Sequence, residues 1–203
     1  MDDKQVRILV SEVKAGKHQA FTDLVNLYSE RIYNLVLRIL KNSDDAADVL
    51  QETFIAAYEK IDSFDGRSNF FTWLYRIATN FALMKLRKDK RTVLTDKDME
   101  SRFDNPEQIP IFEWRDLPLQ EMLSEEFQRL LNGAVKRLPE IYQSVFVLRD
   151  LENMSIKETS KILNISESNV KIRLKRARLY LREQLAQYMD EYIKKSENYE
   201  RTQ

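Results

Sequence analysis

The chain has 203 residues, with 33 Lys and Arg balanced by 33 Asp and Glu, 43% hydrophobic residues, three glycines and four prolines. That is enough apolar material for one medium core or two small ones, which excludes a disordered protein, and the scarcity of turn formers favours long helices. The absence of cysteine excludes disulfides and thiolate zinc sites, and a single histidine, His18, excludes His-based triads and multi-histidine metal centres.

The opening stretch, MDDKQVRILVSEVKAGK, has no apolar run of signal-peptide or membrane-span length, so a cytoplasmic protein without membrane insertion is expected. Residues 20–40 predict an amphipathic helix, because Phe21, Leu24, Tyr28, Ile32, Leu35 and Ile39 recur at spacings of three and four. Ser43, followed by Asp44 and Asp45, predicts a helix start with acids at the positive end of the dipole. In the helix that follows, Ala47, Leu50, Phe54, Ala57 and Ile61 form the expected core stripe. Asp44, Asp48, Gln51, Glu52, Ile55 and Glu59 fall on the opposite side.

The stretch DSFDGRS at 62–68 predicts a loop. Beyond it, Phe70, Leu74, Ile77, Phe81 and Met84 predict one apolar stripe, and Phe71, Tyr75, Ala82 and Leu86 a second. The helix should therefore be wedged between neighbours, with a narrow polar stripe at Arg76, Asn80 and Arg87. Trp73 lies close to the first stripe and is expected in the core. From 93 to 121 periodicity fails, and Pro106, Pro110 and Pro118 fall among acidic residues, which predicts a linker at a domain boundary.

Helical spacing resumes with Leu123, Phe127, Leu130, Ala134 and Leu138, although Asn132-Gly133 weakens the pattern. Pro139 suits the first turn of a further helix that points Ile141, Val145 and Leu148 inward. Ser155 and Glu158 in SIKE form a capping box, the helix they start should end near Asn164, and Ser166 can cap another. Two helices that close together have helix-turn-helix spacing.

Charge is segregated along the chain. Residues 41–65 hold seven acids against two bases, 66–91 seven bases against one acid, 93–121 eight acids against three bases, and 166–182 six bases against one acid. Alternating blocks suggest several surfaces with different partners. In the last block Val170, Leu174, Ala177, Leu181 and Leu185 share a core face. Ser168, Ile172, Lys175, Arg176 and Leu179 lie opposite, flanked by Lys171, Arg173 and Arg178. A charged helical face can simply be solvated, but a capped helix and short turn before it favour a DNA-reading helix, with cations at the rims for phosphates.

Three stretches in order, DAADVLQETFIAAY, SNFFTWLYRIATN and LPEIYQSVFVLRDLENMSIKETSKILNISESNVKIRLKRAR, resemble bacterial RNA polymerase sigma factors of the extracytoplasmic-function (ECF) family, of the sigma-E type. The resemblance implies an all-α chain of two small helical domains: region 2 over 1–92, an acidic linker over 93–121, a helix-turn-helix region 4 over 122–187, and a polar tail over 188–203. It implies an alternative sigma factor and no enzyme, with core RNA polymerase (β′ clamp helices and β subunit) and promoter DNA as partners. An anti-sigma factor is the implied regulator, and no cofactor or metal is implied.

Residue by residue, Asp48, Gln51 and Glu52 match the family's polymerase-docking pattern. Residues 64–88 match its −10 segment, where Phe64, Asn69 and Asn80 are candidates for a captured base and Arg76, Lys85, Arg87 and Lys88 for phosphates. The −35 candidates are Ser168, Lys171, Ile172, Arg173, Lys175 and Arg176. Ile172 and Ser168 depart from the family's usual small polar residue and glycine, so no −35 sequence can be borrowed; Ile172 could touch a thymine methyl. A decoy that captures an anti-sigma factor, and a plain helix-turn-helix repressor, stay open. The repressor reading leaves the N-terminal acidic face unexplained. A metal-dependent enzyme using Asp44, Asp48 and Glu52 ranks last, because no phosphate-binding loop accompanies them.

Overall fold

The computed structural model describes residues 3–89, 95–103 and 125–200; most of the expected linker, with Pro106, Pro110 and Pro118, and Leu123 lie outside them. The described residues are helical, with no strand among them. The helices are α1 (Asp3–Lys14), α2 (His18–Leu40), α3 (Ser43–Glu59), α4 (Phe70–Asp89), α5 (Asp96–Arg102), α6 (Glu125–Arg137), α7 (Glu140–Phe146), α8 (Ile156–Leu163) and α9 (Glu167–Glu200). The chain divides into two compact units, one of Met1–Lys90 with Val147–Val170, the other of Arg91–Phe146 with Lys171–Gln203. These packing units do not follow the boundaries expected from the family resemblance.

In the first unit α2, α3 and α4 pack mutually, with α1 against α2. Leu24, Ile32, Leu35 and Leu74 have no exposed surface, and each contributes about 1.5–3 kcal/mol by leaving water. The apolar wheel of α3 is rotated from expectation, and a single residue of α4 departs from it. In α3 Ala47 is exposed, and the buried face is Ala46, Val49, Thr53 and Ala57. Thr53 is accommodated because its hydroxyl donates to the Val49 carbonyl at 2.6 Å. In α4 Met84 alone of the first stripe is exposed, while Tyr75, Ala82 and Leu86 of the expected second stripe are buried under a second cover.

That cover is the segment Val147–Val170. Val147, Leu148, Met154 and Ile162 join the same apolar cluster as α2 and α4, and α8 lies along α4. Arg38 on α2 donates to the Leu151 carbonyl at 2.7 Å and pairs with Glu152. The Tyr75 hydroxyl donates to the same carboxylate at 3.3 Å. Burial, and then the charge of Glu152, push the Tyr75 phenol well above its ordinary pKa.

The caps explain where these helices start. Asn42, rather than Ser43, caps α3, its side-chain oxygen accepting from the backbone of Asp44 at 2.9 Å and Asp45 at 3.1 Å. Asn69 does the same for α4, accepting from the Thr72 backbone at 2.8 Å. After α7 the helix widens into a π turn over Val147–Leu151, with the Glu152 amide donating to the Val147 carbonyl. Asn153 then takes a left-handed conformation that turns the chain into α8.

The second unit holds α5, α6, α7 and most of α9. Phe127, Leu131 and Ala134 of α6, Tyr142 and Phe146 of α7, and Leu174, Ala177, Leu181 and Leu185 of α9 are buried. Two elements here were not expected. A capped helix, α5, lies inside the linker, with Met99 and Phe103 buried, and α9 stays helical to Glu200, through most of the expected tail.

Candidate nucleic-acid interface

The capping box that starts α8 is formed. The Ser155 hydroxyl accepts from the Glu158 amide at 3.1 Å, and the Glu158 carboxylate accepts from the Ser155 amide at 2.8 Å. The Ser155 hydroxyl, which donates to the same carboxylate at 2.6 Å, and then the Ser155 amide hold the Glu158 carboxyl below its usual pKa. Asn164 ends α8 in a left-handed conformation, and Ser166 caps α9 by accepting from the Asn169 amide at 3.2 Å. Two helices thus meet across a three-residue turn, residues 164–166.

On α9 the predicted core face is buried, while Ser168, Lys171 and Ile172 are exposed. Leu179, expected on the open side, is buried at 5% exposure, so the open arc is shorter than the wheel suggests. Arg173 and Lys175 are half-buried. Arg176 has only 16% of its side chain exposed; it faces Glu100 at 3.6 Å, and its Nε donates to the Phe103 carbonyl at 3.3 Å.

The basic stripe of α4 is split. Arg76 and Asn80 are exposed in its middle, and Arg87 and Lys88 in its last turns. Lys85 is committed elsewhere: its ammonium lies 2.7 Å from Asp45 and 3.0 Å from Asp48. Hydrogen bonds to Asp45 and then Asp48 push its pKa up, so it serves as a tie between α3 and α4. Phe64 is buried against Phe70 and Trp73, with ring centres 5.6 and 5.4 Å away. Asn69 spends its side-chain oxygen on the α4 cap. Phe64 therefore offers little open ring surface in this arrangement, and the Asn69 oxygen already carries one hydrogen bond.

Sequence reasoning missed a polar cavity of about 440 Å³ beside that loop, lined by Ser63, Asp65, Arg67, Ser68, Thr72, Trp73, Arg76, Lys161 and Asn164. Gly66, left-handed at φ 73°, makes the turn that brings Arg67 back to Asp65 at 3.1 Å. Trp73 is half-buried, one part in the aromatic cluster and one part on the cavity wall. The Asp-Gly-Arg turn was the available signal; the contribution of Lys161, far along the chain, had none.

Asp48, Gln51 and Glu52 are exposed on α3. Next to Gln51 runs an apolar groove of about 500 Å³ between α2 and α3, walled by Phe21, Val25, Leu50, Phe54, Ile55 and Tyr58. Ile55 is 56% exposed and Tyr58 41%, an apolar edge beside an acidic one. His18 and the Tyr58 hydroxyl share a 2.8 Å hydrogen bond at its end. Asp48 faces Lys85, and among the described residues no three acidic or histidine side chains converge as a metal site.

Comparison with known proteins matches the sigma-70 region 2 family over residues 24–92 and the sigma-70 region 4 family over residues 128–181. The chain is 37% identical over 183 residues to the ECF RNA polymerase sigma factor SigW of Bacillus subtilis, covering 90% of this chain and 98% of that protein. The chain belongs to the ECF sigma factors. A sigma-E factor of Haemophilus influenzae is 35% identical, over 84% of this chain and 89% of its own. This ECF sigma factor is an alternative sigma factor that directs transcription initiation, with core RNA polymerase and promoter DNA as the partners of its two sigma-70 regions.

Two solved structures share its fold. One is CnrH in complex with the cytosolic domain of CnrY (TM-score 0.62, 24% identity, 89% of this chain and 96% of that one). The other is the sigma factor RpoE in complex with the anti-sigma factor NepR from Bartonella quintana (TM-score 0.56, 22% identity, 82% of this chain and 96% of that one). Within this ECF sigma factor Asp48, Gln51, Glu52 and the cavity residues from Ser63 to Arg76 lie in region 2, and Lys161, Asn164, Lys171, Arg173, Lys175 and Arg176 in region 4. No helix among the described residues is long and apolar enough to cross a membrane.

Proposed function

We propose that this sigma factor divides its work among three surfaces. Asp48, Gln51 and Glu52, with the apolar groove beside them, dock on the β′ clamp helices of core polymerase, and region 4 engages the β subunit. On α4, Asn80 and the cavity wall at Trp73 take an unstacked −10 base, while Arg76, Arg87 and Lys88 hold its backbone. Phe64 and Asn69 act by shaping that loop, and Lys85 by fixing α3 to α4. On α9, Ser168, Ile172, Lys175 and Arg176 face the −35 major groove, with Lys171 and Arg173 on phosphates.

The observation that carries this reading is the capped helix-turn-helix with its cation arc on α9. The protein does no covalent chemistry in this scheme and works in the cytoplasm alongside polymerase. A regulator of the anti-sigma class is part of the proposal, since both fold neighbours were solved with a bound partner, one of them named as an anti-sigma factor. Run-off transcription with core polymerase on a library of promoter fragments tests the whole. Promoter-specific transcripts are expected; polymerase binding without any transcript would favour the decoy.

A further inference from the structure

The linker helix α5 is where it was not expected, and its partners are the groups assigned to DNA. Asp96 and Glu100 stand four apart and so share a face of α5; Arg173 and Arg176 stand three apart on α9. Glu100 lies 3.6 Å from Arg176, and burial pushes the Asp96 carboxyl above its usual range, a shift that the charge of Arg173 partly offsets. The Phe103 carbonyl takes the Arg176 Nε, Met99 has no exposed surface, and Arg102 pairs with Glu183 at 2.6 Å further along α9. Arg176 is left 16% exposed between α5 and the buried Tyr142 of α7, to which it also hydrogen-bonds, although the helical wheel puts it opposite the core face. A carboxylate of α5 thus stands beside an arginine that the proposed function gives to DNA.

We infer that α5 is a built-in competitor for DNA, which covers the Arg173–Arg176 side of α9 and must leave before that side reads a promoter. The inference rests on the −35 role proposed for α9. Its energetics suit a releasable cover. A seven-residue helix is marginal by itself, even with the Thr95–Asp98 capping box. The Glu100 pair is weak because Glu100 is mostly exposed. Met99 and Phe103 supply the anchor, and a duplex, with its dense row of phosphates, supplies a stronger electrostatic counterpart than two carboxylates. The device would keep the free protein from spending itself on non-specific DNA.

The test uses the full chain and a labelled pool of random-sequence duplexes of about 20 base pairs, two helical turns, read by fluorescence anisotropy. Met99→Ala, which changes no charge, and Asp96→Asn with Glu100→Gln should each tighten binding about tenfold if α5 covers α9 roughly nine-tenths of the time. Asp44→Asn with Glu59→Gln removes the same charge from α3, which the inference does not invoke, and should shift affinity by less than about twofold. In the unaltered protein, adding duplex should speed hydrogen exchange at the Met99 and Phe103 amides, which bond to the Thr95 and Met99 carbonyls. Unchanged affinity in the α5 variants together with unchanged exchange overturns the inference. If α5 variants bind more tightly, but adding Arg173→Ala and Arg176→Ala costs nothing, the DNA role of that face fails and the inference fails with it.

Discussion

Phe64 packs edge-on against Phe70 and beside Trp73 with only 6% of its surface exposed, so it cannot also stack on a base unless the loop opens. Phe64→Ala should cost about 3–5 kcal/mol through the cavity it leaves, and any transcription defect would then report a collapsed loop. Phe64→Leu should keep promoter opening, whereas Asn80→Ala, on an exposed residue, should change stability by under about 0.5 kcal/mol yet lose permanganate reactivity of unpaired thymines. If the leucine variant is stable and still fails to open promoters, the ring touches DNA after all. Asn69 invites a similar separation. Asn69→Ala should lower stability by about 1 kcal/mol, and Asn69→Asp, which keeps the cap acceptor, should restore both the urea midpoint and run-off transcript. A stable Asn69→Asp protein that cannot open promoters would show that the amide itself reads the base. None of this is legible in the sequence, because periodicity locates the face of a helix and says nothing of how a loop folds onto it.

At the scale of elements, α8 depends on a reciprocal cap whose acid is held below its usual pKa by the Ser155 hydroxyl and amide. A carboxyl with a depressed folded pKa contributes stability above its unfolded value, 4.5 here, and loses that contribution as pH falls through the folded value. Thermal melts taken from pH 7 downward should therefore show a loss of stability in the acid range that is smaller in Glu158→Gln. That variant keeps the capping geometry without a titrating group. An identical acid profile in the two proteins would remove the cap from the list of pH-sensitive contacts. This cap was readable because S-x-x-E is a local pattern, and the Thr95-x-x-Asp98 box of α5 has the same form. The acidic, proline-containing composition around it masked that second signal. The two apolar sides of α4 were readable, but the Ala46 face of α3 and the exposure of Met84 were not, because neighbours decide which apolar residues are covered. Here the deciding neighbour of α4 is α8, far later in the chain.

Across the whole molecule the formal charge is zero, yet the acidic and basic blocks end up on different surfaces: Asp48, Gln51 and Glu52 in the first compact unit, Lys171 to Arg176 in the second. The alternation in sign was legible from the sequence alone, whereas the commitment of Lys85 to Asp45 and Asp48 was not. That tie changes how the docking face should be probed. Asp48→Lys would set two ammonium groups together between α3 and α4, and lost assembly could then reflect lost packing. Glu52→Lys avoids this, since Glu52 is exposed. It should abolish binding to core polymerase in a pull-down while leaving the helical circular dichroism and duplex affinity unchanged. Lys171→Ala is the converse: polymerase binding intact, all duplexes weakened alike, and the salt slope of DNA binding reduced by about 0.9 for one lost phosphate contact. Because the two residues share no partner, their effects on separate binding steps should be independent, and in the double variant each defect should equal that of its single variant to within about 0.5 kcal/mol. A duplex affinity that falls with Glu52→Lys alone would mean that the acidic face and the DNA-binding helix are coupled, and that polymerase docking and promoter reading cannot be assigned to separate surfaces.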